Sequence, residues 1–195
     1  MWNPGFHFDE WRKGTSHGYA RRFCLLDTFN RRGTMEKPGL MAGLDEAWLD
    51  EAGLDEAEPA TGWFAASPPI WQRWRPRCCG VAKPYPTYIP RFIKVETAQG
   101  PVEALGFVAN HETSEIALLC HADQVRHVAT GRGAHGTSLD YLEGIAAHFA
   151  ALGIDDSEVA GLLEDVREYL AMNPEPPPPY SAAIPSVNCN RASRA

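Results

Sequence analysis

Nothing in these 195 residues approaches the ~18 consecutive apolar residues that a membrane-spanning helix needs. The stretch Met1–Trp11 holds no basic region followed by an apolar run, so the sequence predicts no signal peptide and a cytoplasmic protein. An excess of positive charge is missing too. The net charge is −7 and the pI about 5.5, which argues against a nucleic-acid footprint, since that needs a basic face. Cysteine is sparse and unpatterned. Cys24, Cys78, Cys79, Cys120 and Cys189 are odd in number and form no C-x-x-C knuckle, so neither a disulfide framework nor a zinc site is expected. The seven histidines include no helical i, i+4 pair with a carboxylate; His121 and His127 stand six apart and face different ways. A G-x-S-x-G elbow is also lacking.

What is present is a globular composition, 44% hydrophobic, in a chain long enough for one domain with a real core. Phe23-Cys24-Leu25-Leu26 predicts a short strand flanked by Arg21 and Arg22. A basic turn, Arg31-Arg32-Gly33-Thr34, and a second strand from Lys37 follow. The four arginines admit two readings: a solvated strand edge that discourages edge pairing, or attraction of an anionic substrate. Residues 44–57 repeat Leu-Asp-Glu-Ala with a period of five, which fits neither helix nor strand and predicts an acidic surface loop. Residues 59–87 are rich in Trp, Pro, Arg and Cys, and Pro68, Pro69, Pro76, Pro84 and Pro86 forbid a continuous helix. So long a structureless connection within a compact domain is anomalous.

Strands are expected over 88–96 and 103–110, with a polar turn at His111 to Glu115. Helices are expected over 122–130, over a stretch beginning at Thr137-Ser138, and over 156–171. The second carries Leu139, Leu142, Ile145, Phe149 and Leu152 on one face, a Thr137/Asp140 capping box and Gly153 at its end. The third turns Val159, Leu162, Leu163, Val166 and Leu170 inward. Gly131, Gly133 and Gly136 spell G-x-G-x-x-G, but they follow a helical segment rather than a strand, so a dinucleotide site is not expected. Residues 174–195, with four prolines in a row from Pro176, predict an extended or disordered tail.

The order of residue types says more than periodicity. Gly18-Tyr19 leads into Arg21-Arg22-Phe23, then Arg31-Arg32-Gly33-Thr34, then Pro38-Gly39-Leu40. This resembles the core signature of the ChaC-like γ-glutamylcyclotransferases, G-Y-x-R-R-F followed by H-R-G-T-x-x-x-P-G-L-V, although Asn30-Arg31 stands where that family usually carries histidines. Tyr88-Ile89-Pro90-Arg91-Phe92 is similar to the family's Y-x-P-R-W, Ala104-Leu105-Gly106-Phe107-Val108 to A-L-T-F-V, and Gly136 to Leu142 to G-x-S-x-x-Y-L. The resemblance covers residues 2–43 and 88–168. It implies an α+β fold, a small antiparallel β-barrel flanked by helices. One domain over 1–173 is expected, with 44–87 as an irregular insert or an out-of-frame segment. It also implies cleavage of glutathione to 5-oxoproline and cysteinylglycine, with no cofactor, no nucleic acid and no membrane.

That reaction needs a carboxylate base for the glutamyl ammonium and backbone donors that orient the substrate. In the family a Tyr-Gly-Ser-Leu loop and the Glu of an R-E step supply them. Trp2-Asn3-Pro4-Gly5-Phe6 matches the phrase that follows that loop, and the chain begins at Met1, after it. The Glu is absent as written. With suitable codons, a one-base shift turns Trp63–Thr87 into a strand, an amphipathic helix and an Arg-Arg-Glu step in register with Tyr88, the Glu spanning the codons of Ala82 and Lys83. Tyr88, Gly136, Ser138, Tyr141 and Arg22 are the expected substrate-binding residues. Helix N-terminal N–H groups near Gly136 and Ser138 suit a carboxylate, and Tyr141 offers a hydroxyl. Plain capping by Thr137 and Ser138, with Tyr141 packed in the core, is the structural alternative. Glu96, Glu103 and Glu143 do not recommend themselves as replacement bases. The expectation is a weakly active or inactive γ-glutamylcyclotransferase; the alternative is a degenerate γ-glutamyl-binding or interaction protein.

Overall fold

A computed structural model describes residues 10–46, 59–66 and 87–174. Its elements are β1 (Glu10–Phe29), β2 (Thr34–Glu46), β3 (Pro59–Ala66), β4 (Tyr88–Thr97), β5 (Gly100–Ala109), α1 (His121–Thr130), β6 (Arg132–Gly133), β7 (Gly136–Thr137), α2 (Ser138–Leu152) and α3 (Ser157–Met172). The segment 67–86, with Ala82 and Lys83, the repeat beyond Glu46 and the tail from residue 175 lie outside the described residues.

The 20-residue β1 organises the sheet. Its first half pairs with β3 and, at Gly14 and Thr15, with β4; its second half pairs with β2. The halves are separated by a register shift between Ser16 and Ala20. Gly18 sits inside that shift with φ of +82°, in the region glycine occupies without steric cost. Gly14 marks the crossing with β4: a Cβ there would stand 2.5 Å from Val95 Cγ1. β4 and β5 form a hairpin from Tyr88↔Ala109 to Thr97↔Gly100, and β5 reaches β2 at Leu44↔Val108. The order β2-β5-β4-β1, with β1 also bonded to β2, closes a four-strand barrel. Phe23, Phe92 and Phe107 thus share one closed sheet. The barrel departs from a purely antiparallel one at the β2–β5 contact, which is parallel.

Part of the segment expected to be irregular is ordered. Pro59–Ala66 is a strand along β1, from Ala20↔Pro59 to Glu10↔Ala66. The acidic repeat is also entered earlier than expected, because β2 runs to Glu46 and buries Asp45 completely.

The helices cover one side of the sheet. Phe23 and Leu40 join Val125, Val128, Leu142, Ile145, Val159, Leu162, Leu163 and Val166 in one core, which takes in residues of the expected inward faces of α2 and α3 and one face of α1. Thr137 caps α2 in a full capping box with Asp140, and Gly153 ends it in the left-handed conformation at φ 63°. Asp156 caps α3 by accepting from the Val159 N–H. Among the described residues no helix is long and apolar enough to cross a membrane.

Candidate active site

The signature residues converge where β1, β2 and the N-termini of α2 and α3 meet. Two loops cross there at backbone contact. A Cβ on Gly33 would overlap Gly39 N, one on Gly131 would stand 2.5 Å from Gly39 Cα, and one on Gly133 would stand 2.5 Å from the Arg31 carbonyl. The basic turn lies on the glycine-rich loop through Ala134 N–H to Asn30 O (2.9 Å) and His135 N–H to Arg31 O (2.9 Å). Ser138, fully buried, closes the joint: its hydroxyl accepts from Leu40 N–H at 3.0 Å and donates to Arg32 O at 3.3 Å. Gly136 has φ of +109°, and a Cβ there would meet Arg32 Nη1 at 2.6 Å. Of the expected substrate-binding residues, Gly136 and Ser138 therefore seat the basic turn on α2, and the Ser138 hydroxyl is already committed to backbone partners.

Tyr88, Tyr141 and Arg22 occupy one neighbourhood around the buried Cys24. Burial, then the proximity of Tyr141 and Cys24, raise the Tyr88 phenol above its ordinary range. Burial raises Tyr141 too, against a backbone hydrogen bond with Ala42. Both phenols stay protonated near neutral pH and act as neutral donors. Cys24 is pushed up to about 12 by burial and then by the charge of Asp45, with Arg22 opposing. It is a thiol at neutral pH and a poor nucleophile.

Two acids that the sequence reading did not single out stand beside these groups. Asp45 Oδ1 accepts from His111 Nε2 at 2.8 Å and from Glu46 N–H at 2.9 Å. Asp45 Oδ2 has no hydrogen-bond partner among the described residues and lies 3.9 Å from Arg22 Nε. His111, expected in a turn with Glu112, thus faces a different carboxylate. Asp45 escaped notice because its Leu-Asp-Glu-Ala context is shared with two further copies. The second acid is Glu158, in the first turn of α3. Burial and then the Asp156 charge raise its carboxyl to about 7, while Arg22, the Phe23 backbone N–H and Arg21 pull the other way. In the sequence it is an ordinary acid at a helix start.

Glu158 lines a cleft of about 580 Å³ together with Arg21, Arg22, Thr61, Asp155 and Asp156. Arg21 is a rivet in its wall. It pairs with Asp156, donates to Thr61 O at 3.3 Å and lies 4.4 Å over the Phe149 ring. Arg22, on the same cleft wall, also approaches Asp45, whose Oδ2 lies 3.9 Å from its Nε. Among the described residues no three His, Cys, Asp or Glu side chains converge as metal ligands. The cleft thus offers an acid near neutral pKa and two guanidinium groups around a space that fits a small peptide, and the two neutral phenols stand near Cys24 outside its lining.

Comparison with known proteins agrees with the architecture. The chain is 29% identical over 175 residues to a glutathione-specific gamma-glutamylcyclotransferase of Escherichia coli (strain K12), covering 89% of this chain and 71% of that one. Crystal structures of a γ-glutamyl cyclotransferase specific to glutathione from yeast superpose with TM-scores of 0.65 and 0.66, at 19% and 20% identity. They cover 86% of this chain and 91% and 94% of theirs, and share its fold. The profile of the ChaC-like protein family matches residues 1–169, and this chain belongs to that family.

Proposed function

We propose that this protein is a γ-glutamylcyclotransferase acting on glutathione, a carbon–nitrogen lyase that releases 5-oxoproline and cysteinylglycine, and that it turns over slowly. The observation that carries the reading is the family match over residues 1–169, joined to a bacterial relative whose name specifies glutathione. The site supplies parts that such a reaction uses. The α-amine of the glutamyl residue attacks its own γ-carbonyl, so binding must fold the substrate onto itself. A proton must leave the ammonium. Tyr88 and Tyr141 are protonated phenols available to orient the peptide, and Arg22 offers positive charge to its carboxylates. The ring closure itself uses no cofactor.

The slow rate follows from the sequence. By the family resemblance a catalytic Glu is expected shortly before Tyr88, and none stands there as the chain is written; in the shifted frame it would span the codons of Ala82 and Lys83. The same absence favours a second reading, a protein that binds γ-glutamyl compounds without turning them over. A single domain over 1–173 with a Pro-rich tail is part of the proposal. So is the cytoplasm, where the reduced, buried thiol of Cys24 suits a reducing compartment.

Incubation of the purified chain with glutathione tests the reading. Equal amounts of 5-oxoproline and cysteinylglycine should accumulate at a rate ~10²-fold or more below that of the E. coli relative, the scale of a lost general base. Rates equal to the relative's would refute the impairment. Saturable binding of glutathione with no product would establish the second reading.

A further inference from the structure

We propose that Glu158, in the cleft lined by Arg21 and Arg22, is the proton acceptor of this chain, taking the place of the Glu missing near Ala82 and Lys83. The inference rests on the γ-glutamyl reading and names a residue for the same site.

Six other acids among the described residues are engaged or sealed, and Asp155, the remaining acid of the cleft, stands exposed to solvent. Glu96 faces His17, Glu143 pairs with Arg167, Glu46 with Arg91, and Asp165 with His121. Asp156 holds Arg21 and caps α3. Asp45 is inaccessible. Glu158 is half-buried and lines the cleft, and a hydrogen bond from Phe23 N–H fixes its carboxylate against β1. The charged groups that face it are Arg21 and Arg22 from β1 and Asp155 and Asp156 from the turn before α3. β3 contributes Pro59, Ala60 and Thr61, with no charge.

Its carboxyl, raised to about 7, is matched to accepting a proton at neutral pH. An ordinary surface glutamate, near ~4.3, is a weaker base.

The step balances without a co-reactant. One ammonium proton passes to a Glu158 carboxylate oxygen. The freed nitrogen lone pair attacks the γ-carbonyl carbon and forms the ring C–N bond. The bond from that carbon to the cysteinyl nitrogen then breaks. The leaving nitrogen takes that proton from the Glu158 carboxyl and a second one shed by the ring nitrogen, so the lactam keeps a single N–H, cysteinylglycine leaves in its ammonium form and the Glu158 carboxylate is restored.

The test is 5-oxoproline release from glutathione by the full chain and by Glu158→Gln, Arg22→Gln and Glu143→Gln, between pH 5 and 9. In the wild type kcat/KM should rise through about pH 7 and then level. Glu158→Gln should lose ~10²-fold or more in kcat with KM within about threefold, and lose the acid limb. Arg22→Gln keeps the acid and removes the opposing charge, so its limb should move to higher pH; this also decides the matter if Glu158→Gln does not fold. Glu143→Gln should behave as wild type. A Glu158→Gln enzyme with unchanged kcat and an unchanged limb would overturn the assignment and leave the γ-glutamyl reading standing. So would an unmoved limb in Arg22→Gln. No 5-oxoproline from the wild type at any pH would overturn both.

Discussion

Glu158 carries a measurable cost to stability. A folded-state pKa of about 7 against an unfolded value near 4.5 means that the folded chain binds more protons between those two pH values. Stability contributed by this group therefore falls as pH rises through that window and stays low above it. Glu158→Gln removes the titration while keeping an acceptor for the Phe23 N–H. Thermal unfolding at pH 8 should show the variant more stable than wild type by ~1–3 kcal/mol, or about 2–8 °C, with the gap closed at pH 4. An equal gap at both pH values would show that the carboxyl is not shifted. Residue by residue, sequence reasoning proposed Tyr88, Tyr141 and Arg22 as substrate-binding through the order of residue types, and the structure sets them in the neighbourhood of Cys24. It did not reach Asp45 or Glu158. A carboxylate's value as a base depends on the dielectric around it and on charges brought in from other strands. In the linear chain Arg22 and Glu158 are far apart, and the fold makes them neighbours.

Local chemistry made the helical elements legible. Thr137 with Asp140, and Gly153, fix both ends of α2, and the apolar stripes of α2 and α3 are the faces found in the core. The β-elements were harder. β1 runs from Glu10 to Phe29, far beyond the four apolar residues that announce it, because its polar first half is held by pairing with β3 and β4 rather than by its own pattern. β3 went unrecognised for the same reason: its strand character comes from its partner. The glycines of the signature have a purely steric logic. Gly39 faces the Ser138 hydroxyl and the Arg32 carbonyl at distances no Cβ tolerates. Gly39→Ala should destabilise the fold by at least ~2 kcal/mol, measured by urea unfolding with an unchanged m value. Gly62→Ala, in the middle of β3 with nothing within 4 Å of its Cβ, is the matched control and should cost far less. Equal costs for the two would mean that the loop crossing is looser than described.

At the scale of the molecule, barrel and helices serve one purpose. They seat the basic turn on the glycine-rich loop before α2, and they bring β1, β3 and the first turn of α3 around a single cleft. The family signature was legible because it consists of residues this crossing cannot replace, Gly33, Gly39, Gly136 and Ser138 among them. The parts of the site specific to this chain were not, because they depend on which acid the fold leaves accessible. The central claim is that the glutamyl amine, and not water, breaks the γ-amide. Turnover of glutathione in water enriched in oxygen-18, followed by mass spectrometry of the products, separates the two. The account predicts 5-oxoproline without the heavy isotope and no glutamate; glutamate carrying oxygen-18 in its γ-carboxyl would contradict it.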